Sequence, residues 1–247
     1  QGSTGINVAR HAVLAAGLPV SIAGATIDRQ CASGLSAIAA AAHQIVQEGQ
    51  DVAIGGGVDS ISLVQNNHMN MHRYQDSRVL ALKPQFYDTM IETAETVARR
   101  YGVSRDAQDE YALGSQLKTA AAQEAGKFDA EIIPVDAIKV VTNKLTEQVS
   151  KQEVRLERDE CNRPGTTLEQ LKNLQPVMGE GRCVTAGNAS QLSDGASAAV
   201  LMEARLAEKR GLKPLGAFRG MAVIGCEPDE MGIGPVYAIP RLLERTG

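Results

Sequence analysis

Tryptophan is absent from these 247 residues, and three Phe with five Tyr hold the aromatic share to 3%. Without large rings the core has to be filled by Ala, Val, Ile and Leu, so small side chains at close packing are expected. An excess of positive charge is missing too. With 25 basic against 29 acidic residues, a net charge of -4 and no basic stripe interleaved with aromatics, nucleic acid is not expected as a partner. No apolar run approaches the roughly 18 residues of a membrane span, and the first residues lack the basic-then-apolar pattern of a secretion signal. A soluble chain with no membrane partner is expected. Cysteine is sparse: Cys31, Cys161, Cys183 and Cys226 lie far apart and form no C-x-x-C pair. That excludes the usual zinc and redox-dithiol patterns and fits a reducing compartment.

What is present is an alternation of helices with short apolar strands. Amphipathic or Ala-rich helices are predicted over 6–16 and 35–46, and strands over 20–27 and 51–54, the latter leaving through Gly55-Gly56-Gly57 as a tight exit. Nearly all-apolar short strands among helices imply an α/β fold with a sheet covered on both faces. From about residue 63 the chain turns polar and charged, as an insertion would. There we predict helices over 93–101 and from the N-cap Ser104 to 125, a strand over 131–135, and loop or edge-strand structure over 139–164. Small-residue αβ character returns near 184, with a strand over 198–202, a helix over 204–211, a strand over 216–224 and a last helix over 238–245. That last helix resembles the first in closing on Gly, which suggests duplicated halves.

Cys31 stands out among the candidate functional residues. It falls on the turn between the strand over 20–27 and the helix over 35–46, where free N–H groups and the positive end of the peptide dipole favour the nucleophilic thiolate. Taken alone, a buried structural cysteine is the competing reading. The other three cysteines, lacking a strand before and a helix after, are read as structural.

Several ordered motifs carry a resemblance that covers essentially the whole chain. DRQCASGLSAIAAAA, GGGVDSIS, TAETVARRYGVSRDAQDEYALGSQ, TAGNASQLSDGASA and GCEPDEMGIGP resemble those of a thiolase of the acetyl-CoA acyltransferase type. The resemblance implies a layered αβαβα fold of two similar halves with an inserted loop domain. Residues 1–62 and 190–213 would form the N-terminal half, 63–189 the loop domain for coenzyme A, and 214–247 the start of the C-terminal half. It also implies transfer of an acyl group between an acyl-CoA and acetyl-CoA or coenzyme A through an acyl-cysteine. Coenzyme A thioesters would be substrates, with no permanently bound cofactor and no metal, in a homodimer or homotetramer serving fatty acid metabolism.

Carried over by motif, Cys31 matches the acylated cysteine, and its own N–H would help hold the acyl oxygen. Ser190 matches the NAS serine that contacts the pantetheine arm, and small Ala186 leaves room beside it. Met90 matches a methionine against the pantetheine tunnel, while Arg163 and Leu174 match positions flanking the adenine end. The family also uses an Asn-Glu-Ala-Phe motif, a Gly-His-Pro histidine and a second cysteine in Cys-x-Gly-Gly-Gly. None of the three occurs in this sequence, and its first residues resemble the middle of a first domain. We therefore expect a piece that lacks the family's start and most of its C-terminal half, and that is inactive by itself. A cytoplasmic location is expected, with mitochondrial and peroxisomal ones left open.

Other readings compete. His68 and His72, four apart, could ligate a metal, but no third ligand accompanies them. His11 and His43 read as surface or packing residues. The glycine run lacks the spacing of a phosphate loop, and the mixed charges over 147–160 read as a solvated face. A ketoacyl synthase or hydroxymethylglutaryl-CoA synthase would also carry a cysteine at this turn. A noncatalytic piece that binds coenzyme A, or offers an interaction surface, is a second rival. A redox-sensing thiol at Cys31 is a third, without a visible resolving partner.

Overall fold

The structure is a computed structural model and describes residues 7–67, 69–143 and 145–247. In chain order its elements are α1 (Val8–Ala15), α2 (Ser33–Glu48), β1 (Val52–Asp59), α3 (Ile61–Val64), α4 (Ser77–Leu82), α5 (Met90–Tyr101), α6 (Arg105–Glu124), β2 (Val135–Thr142), β3 (Val149–Leu156), α7 (Leu168–Lys172), β4 (Gly195–Met202), α8 (Ala204–Lys209) and α9 (Gly234–Thr246). Short 3-10 turns occupy Pro84–Tyr87 and Pro228–Ile233. Two units collect these elements: Gln1–Thr89 with Leu192–Gly247, and Met90–Gln191. Residues 63–89 thus group with the first unit, as do 214–247.

In the first unit, β1 pairs antiparallel with β4 in the register Ile54↔Val200 and Gly55↔Ala199. Glycine sets how closely α2 lies on this pair. A Cβ on Gly55 would sit 2.6 Å from the Ile38 Cα and 2.8 Å from the Ile38 backbone nitrogen, contact that only a bare backbone allows. The strand therefore runs on through Gly55, Gly56 and Gly57 to Asp59, and the expected tight exit after Ile54 is not there. Ala39, Ala41 and Ala42 bury the inner side of α2. Among the described residues the buried apolar set adds only Ala98, Leu171 and Val184, a core of mostly small side chains. α2 covers one face of the pair. On the opposite face Ile54 (59% exposed), Val200 (66%), Val52 and Val58 are open, where the sequence pattern anticipated cover on both sides.

Two expected strands are absent. Over 20–27 the chain turns at Val20 and Ser21 and then runs without strand pairing, and side chains from the start of α1 take its carbonyls. Asn7 Nδ2 donates to Gly24 O at 2.8 Å, and the Arg10 guanidinium donates to Val20 O at 2.9 Å and to Ile22 O. Over 216–224 the segment lies against α9 instead of a strand, with Gly220 closest to Thr246 and Leu242. Nearby, His43, exposed on α2, packs edge-on against Phe218 at 6.0 Å, consistent with its reading as a surface or packing residue.

In the second unit, Ser104 caps α6 by accepting from Ala107 N at 3.2 Å. The strand expected over 131–135 begins only at Val135, and β2 pairs antiparallel with β3 inside the region expected to hold loops and edge strands. Asp136 and Arg155, opposite each other in that register, form an ion pair in which Arg155 Nη1 donates to Asp136 Oδ1 at 2.9 Å and to Oδ2 at 3.1 Å. Among the described residues no helix is long and apolar enough to cross a membrane, and no three His, Cys, Asp or Glu side chains converge as a metal site requires. His68, half of the spaced histidine pair, lies outside the described residues, as does the Ile6 start of the first predicted helix.

Candidate functional site

Cys31 is exposed and stands two residues before the first turn of α2. Its turn is built by side chains on either side. Gln30 N donates to Asp28 Oδ1 at 2.9 Å, while Ser33 Oγ accepts from Arg29 N at 2.8 Å and donates to Gln30 O at 2.7 Å. These bonds hold Gln30 at φ 49°, in the left-handed region that residues with a Cβ avoid. Ala32, the N-cap of α2, has no side chain able to close the helix start, and no side-chain cap bond forms there. Such an uncapped first turn can receive a developing negative oxygen beside the Cys31 sulfur. Arg29 Nη1 donates to Ser36 Oγ at 3.0 Å, which anchors the turn to the buried side of the helix.

The remaining five residues singled out by sequence lie in the second unit. Met90 is exposed at the first position of α5. Arg163 is exposed, and its N–H donates to Gln116 Oε1 at 2.8 Å. Gln116 also receives Asn162 Nδ2 at 2.9 Å, which fixes this loop to α6. Ala186 and Ser190 are exposed in the stretch that follows buried Val184 and Thr185, and the Ser190 hydroxyl donates to Gln191 O at 3.0 Å. Leu174 is brought directly to that stretch. A Cβ on Gly187 would lie 2.5 Å from both Leu174 Cδ1 and Leu171 Cδ2.

Beneath these exposed positions runs a buried polar network that sequence reasoning did not single out. Glu95 on α5, 5% exposed, accepts from Val184 N at 2.8 Å, from Cys183 N at 3.0 Å and from the Cys183 thiol at 3.2 Å. Burial pushes its carboxyl up, but the bonds from Val184 N–H and from the Cys183 thiol and N–H, aided by Arg182, outweigh this and hold it below the ordinary carboxylate range. The Cys183 thiol moves the other way. Burial is the main cause of the rise, opposed by the bond with Gln108 and the charge of Arg105 and reinforced by donation to Glu95 and the Glu95 charge, so Cys183 is held as a neutral thiol and fits its structural reading.

Asn188 closes the turn itself. Its Oδ1 accepts from Thr185 N at 2.7 Å, and its Nδ2 donates to Cys183 O at 2.9 Å and to Asp109 Oδ1 at 3.0 Å. Arg105 and Asp109 are an i,i+4 pair visible in the sequence of α6, yet that spacing is the same for any exposed helical ion pair. Only the fold buries it. Chemically, the second unit offers a preset, solvent-facing stretch with a hydroxyl and small side chains, and the first offers an accessible thiol at a helix start.

The family described as Thiolase, N-terminal domain matches residues 1–205. The chain is 43% identical over 248 residues to a 3-ketoacyl-CoA thiolase of Bacillus subtilis, an alignment covering 100% of this chain and 62% of that protein. Among solved structures, the Bacillus anthracis acetyl-CoA acetyltransferase superposes with a TM-score of 0.80 at 37% identity, covering 100% of this chain and 62% of its own. Human mitochondrial 3-ketoacyl-CoA thiolase in complex with CoA gives 0.77 at 35% identity, covering 97% and 59%. The chain spans about three fifths of the length of the curated relatives it matches, 62% and 57% in two of them.

Proposed function

Because the chain belongs to the thiolase family and has its fold, we propose that it carries the acyl-accepting and coenzyme A-binding parts of an acyltransferase acting on 3-ketoacyl-CoA. The observation that carries this reading is the exposed Cys31 at the uncapped start of α2, on a turn that forces Gln30 left-handed. In thiolysis the Cys31 sulfur, as thiolate, adds to the 3-keto carbon of the substrate. The C2–C3 bond then breaks, its electron pair leaving as the enolate of acetyl-CoA, which takes up a proton at carbon. The acyl group stays on Cys31 as a thioester until the thiolate of coenzyme A displaces it. Claisen condensation is the same path reversed. Oxyanions develop at the 3-keto oxygen and again during thioester exchange, and the Cys31 N–H with the free N–H groups opening α2 is the donor set we assign to them.

Coenzyme A is assigned to the second unit, with Ser190 and Ala186 on the pantetheine arm, Met90 beside it, and Arg163 and Leu174 toward the adenine. The relative captured with CoA supports a site of this chemistry in the family. The base for the substrate's α-proton has no counterpart in these 247 residues, since no Gly-His-Pro or Cys-x-Gly-Gly-Gly motif occurs in them. By themselves they are expected to bind coenzyme A without turnover, and the active form to be a homodimer or homotetramer. The test is to incubate the protein carrying these residues with acetoacetyl-CoA and coenzyme A and to follow loss of the substrate enolate absorbance. Turnover is expected, falling by about a thousandfold or more in Cys31→Ser. Absence of turnover in the unmodified protein overturns the reading; turnover undiminished in the variant overturns Cys31 as nucleophile.

A further inference from the structure

Both oxygens of the Asp109 carboxylate are committed, each to a different segment. Asp109 is 0% exposed. Its Oδ2 accepts from Arg105 Nε at 2.8 Å, and the same guanidinium donates through Nη2 to Leu171 O at 2.6 Å and Leu174 O at 3.2 Å. Its Oδ1 accepts from Asn188 Nδ2 at 3.0 Å, the amide that closes the turn from Cys183 to Asn188. One buried charge therefore sits between the end of α7 and the turn that leads to Ser190. The two segments also touch directly, since Gly187 leaves no room for a Cβ beneath Leu171 and Leu174. Charge-assisted bonds to a desolvated carboxylate are short and directional, and a lost partner leaves a polar group stranded without water. An apolar filler at this position would pack the segments, but it would not set their relative register.

We infer that Asp109 is a positioning residue for coenzyme A, holding the Leu174 segment and the Ala186–Ser190 segment in the spacing that one ligand needs to engage both. This rests on the assignment of those segments to the adenine end and the pantetheine arm in the proposed function. A ligand that spans two sites gains from their fixed separation, whereas one that touches a single site does not. Arg105 holds the Leu174 side directly and the turn only through Asp109, and Asn188 holds the turn directly and the Leu174 side only through Asp109, so variants at the three residues have different signatures with whole and partial ligands.

The experiment is calorimetric titration of the 247-residue chain and its variants with coenzyme A and with pantetheine. Asp109→Asn is expected to weaken coenzyme A at least tenfold and pantetheine by a smaller factor. Arg105→Lys, which keeps the charge on Asp109 but reaches its two carbonyls poorly, is expected to weaken coenzyme A severalfold and leave pantetheine within twofold. Asn188→Ala is expected to weaken both ligands by a similar factor. A residue that only stabilised the fold would lower the melting temperature and leave both affinities of the folded protein unchanged, and that result overturns the inference. Should Asp109→Asn not fold, the contrast between Arg105→Lys and Asn188→Ala decides the matter, and identical ligand profiles for the two overturn it. Failure of the unmodified chain to bind coenzyme A is a separate result, which overturns the site assignment and this inference with it.

Discussion

Gln30 carries a conformation that its own side chain opposes. Left-handed backbone costs an L-residue roughly 1–2 kcal/mol, and the bonds from Asp28 and Ser33 to the Gln30 backbone hold it there. Glycine would remove that cost while adding entropy to the unfolded chain, about 0.4–1 kcal/mol in the opposite sense. Gln30→Gly is therefore expected to match or exceed the native stability by up to about 1.5 kcal/mol, whereas Gln30→Val, branched at Cβ, is expected to lose on the order of 1–2 kcal/mol. Urea denaturation measures both, and a glycine variant clearly less stable than the native chain would show that Gln30 is not strained. Cys31 and Cys183 are both lone thiols; the Ala-rich helix that follows Cys31 already sets it apart in the sequence, and burial beside Glu95 supplies the physical reason that Cys183 stays neutral.

At the scale of elements, α2 and β1 are set together by absence of side chains. Gly55→Ala would drive a Cβ into the Ile38 backbone, which cannot rotate away as a side-chain end could. A loss of about 1–3 kcal/mol is expected, measured as a fall in the denaturation midpoint; an unchanged midpoint would mean that helix and strand separate freely. Helices were legible in the sequence because their signals are local: the Ala-rich run of α2 and the Ser104 cap of α6. Strands were less so, because a strand needs a partner that the sequence does not name. The apolar stretches over 20–27 and 216–224 have the composition of strands, yet one gives its carbonyls to Asn7 and Arg10 and the other packs under α9. Conversely, Gly55-Gly56-Gly57 reads as a chain break and is the middle of β1. For the candidate site, Cys31 and the turn leading to Ser190 were visible as motifs. Glu95, Arg105 and Asp109 were not, since a carboxylate on a helix shows its role only when the segment it receives has been folded over it.

For the whole molecule, Glu95 and Cys183 shift in opposite directions and act at opposite ends of the pH range, while exposed Asp194, held low by its bonds from Ser62, joins Glu95 at the acid end. Glu95 binds its proton less readily folded than unfolded, so its contribution is present above about pH 4.3 and is lost as the pH falls from there. Cys183 holds its proton more tightly when folded. Its contribution is present below about pH 8.5 and declines as the pH rises beyond it. Stability is expected to fall on both sides of a plateau. Glu95→Gln should lower the plateau on the order of 2 kcal/mol and flatten the acid limb, while Cys183→Ala should flatten the alkaline one. Melting temperatures recorded from pH 3 to pH 10 check this, and an acid limb of unchanged slope in Glu95→Gln would remove Glu95 from the account. Chain order adds a kinetic aspect. All of Met90–Gln191 intervenes between β1 and β4, so their pairing closes a long loop whose entropic cost grows only logarithmically with length.

The open face of the β1–β4 pair has a practical corollary for anyone handling this polypeptide. Ile54, Val58 and Val200 form a greasy stripe in the fully native state, the kind of surface to which environment-sensitive fluorophores such as anilinonaphthalene sulfonate adhere. A bright signal at room temperature is then a property of the intact chain and no sign of a molten one, so its melting is better followed by near-ultraviolet circular dichroism of its tyrosines than by dye emission.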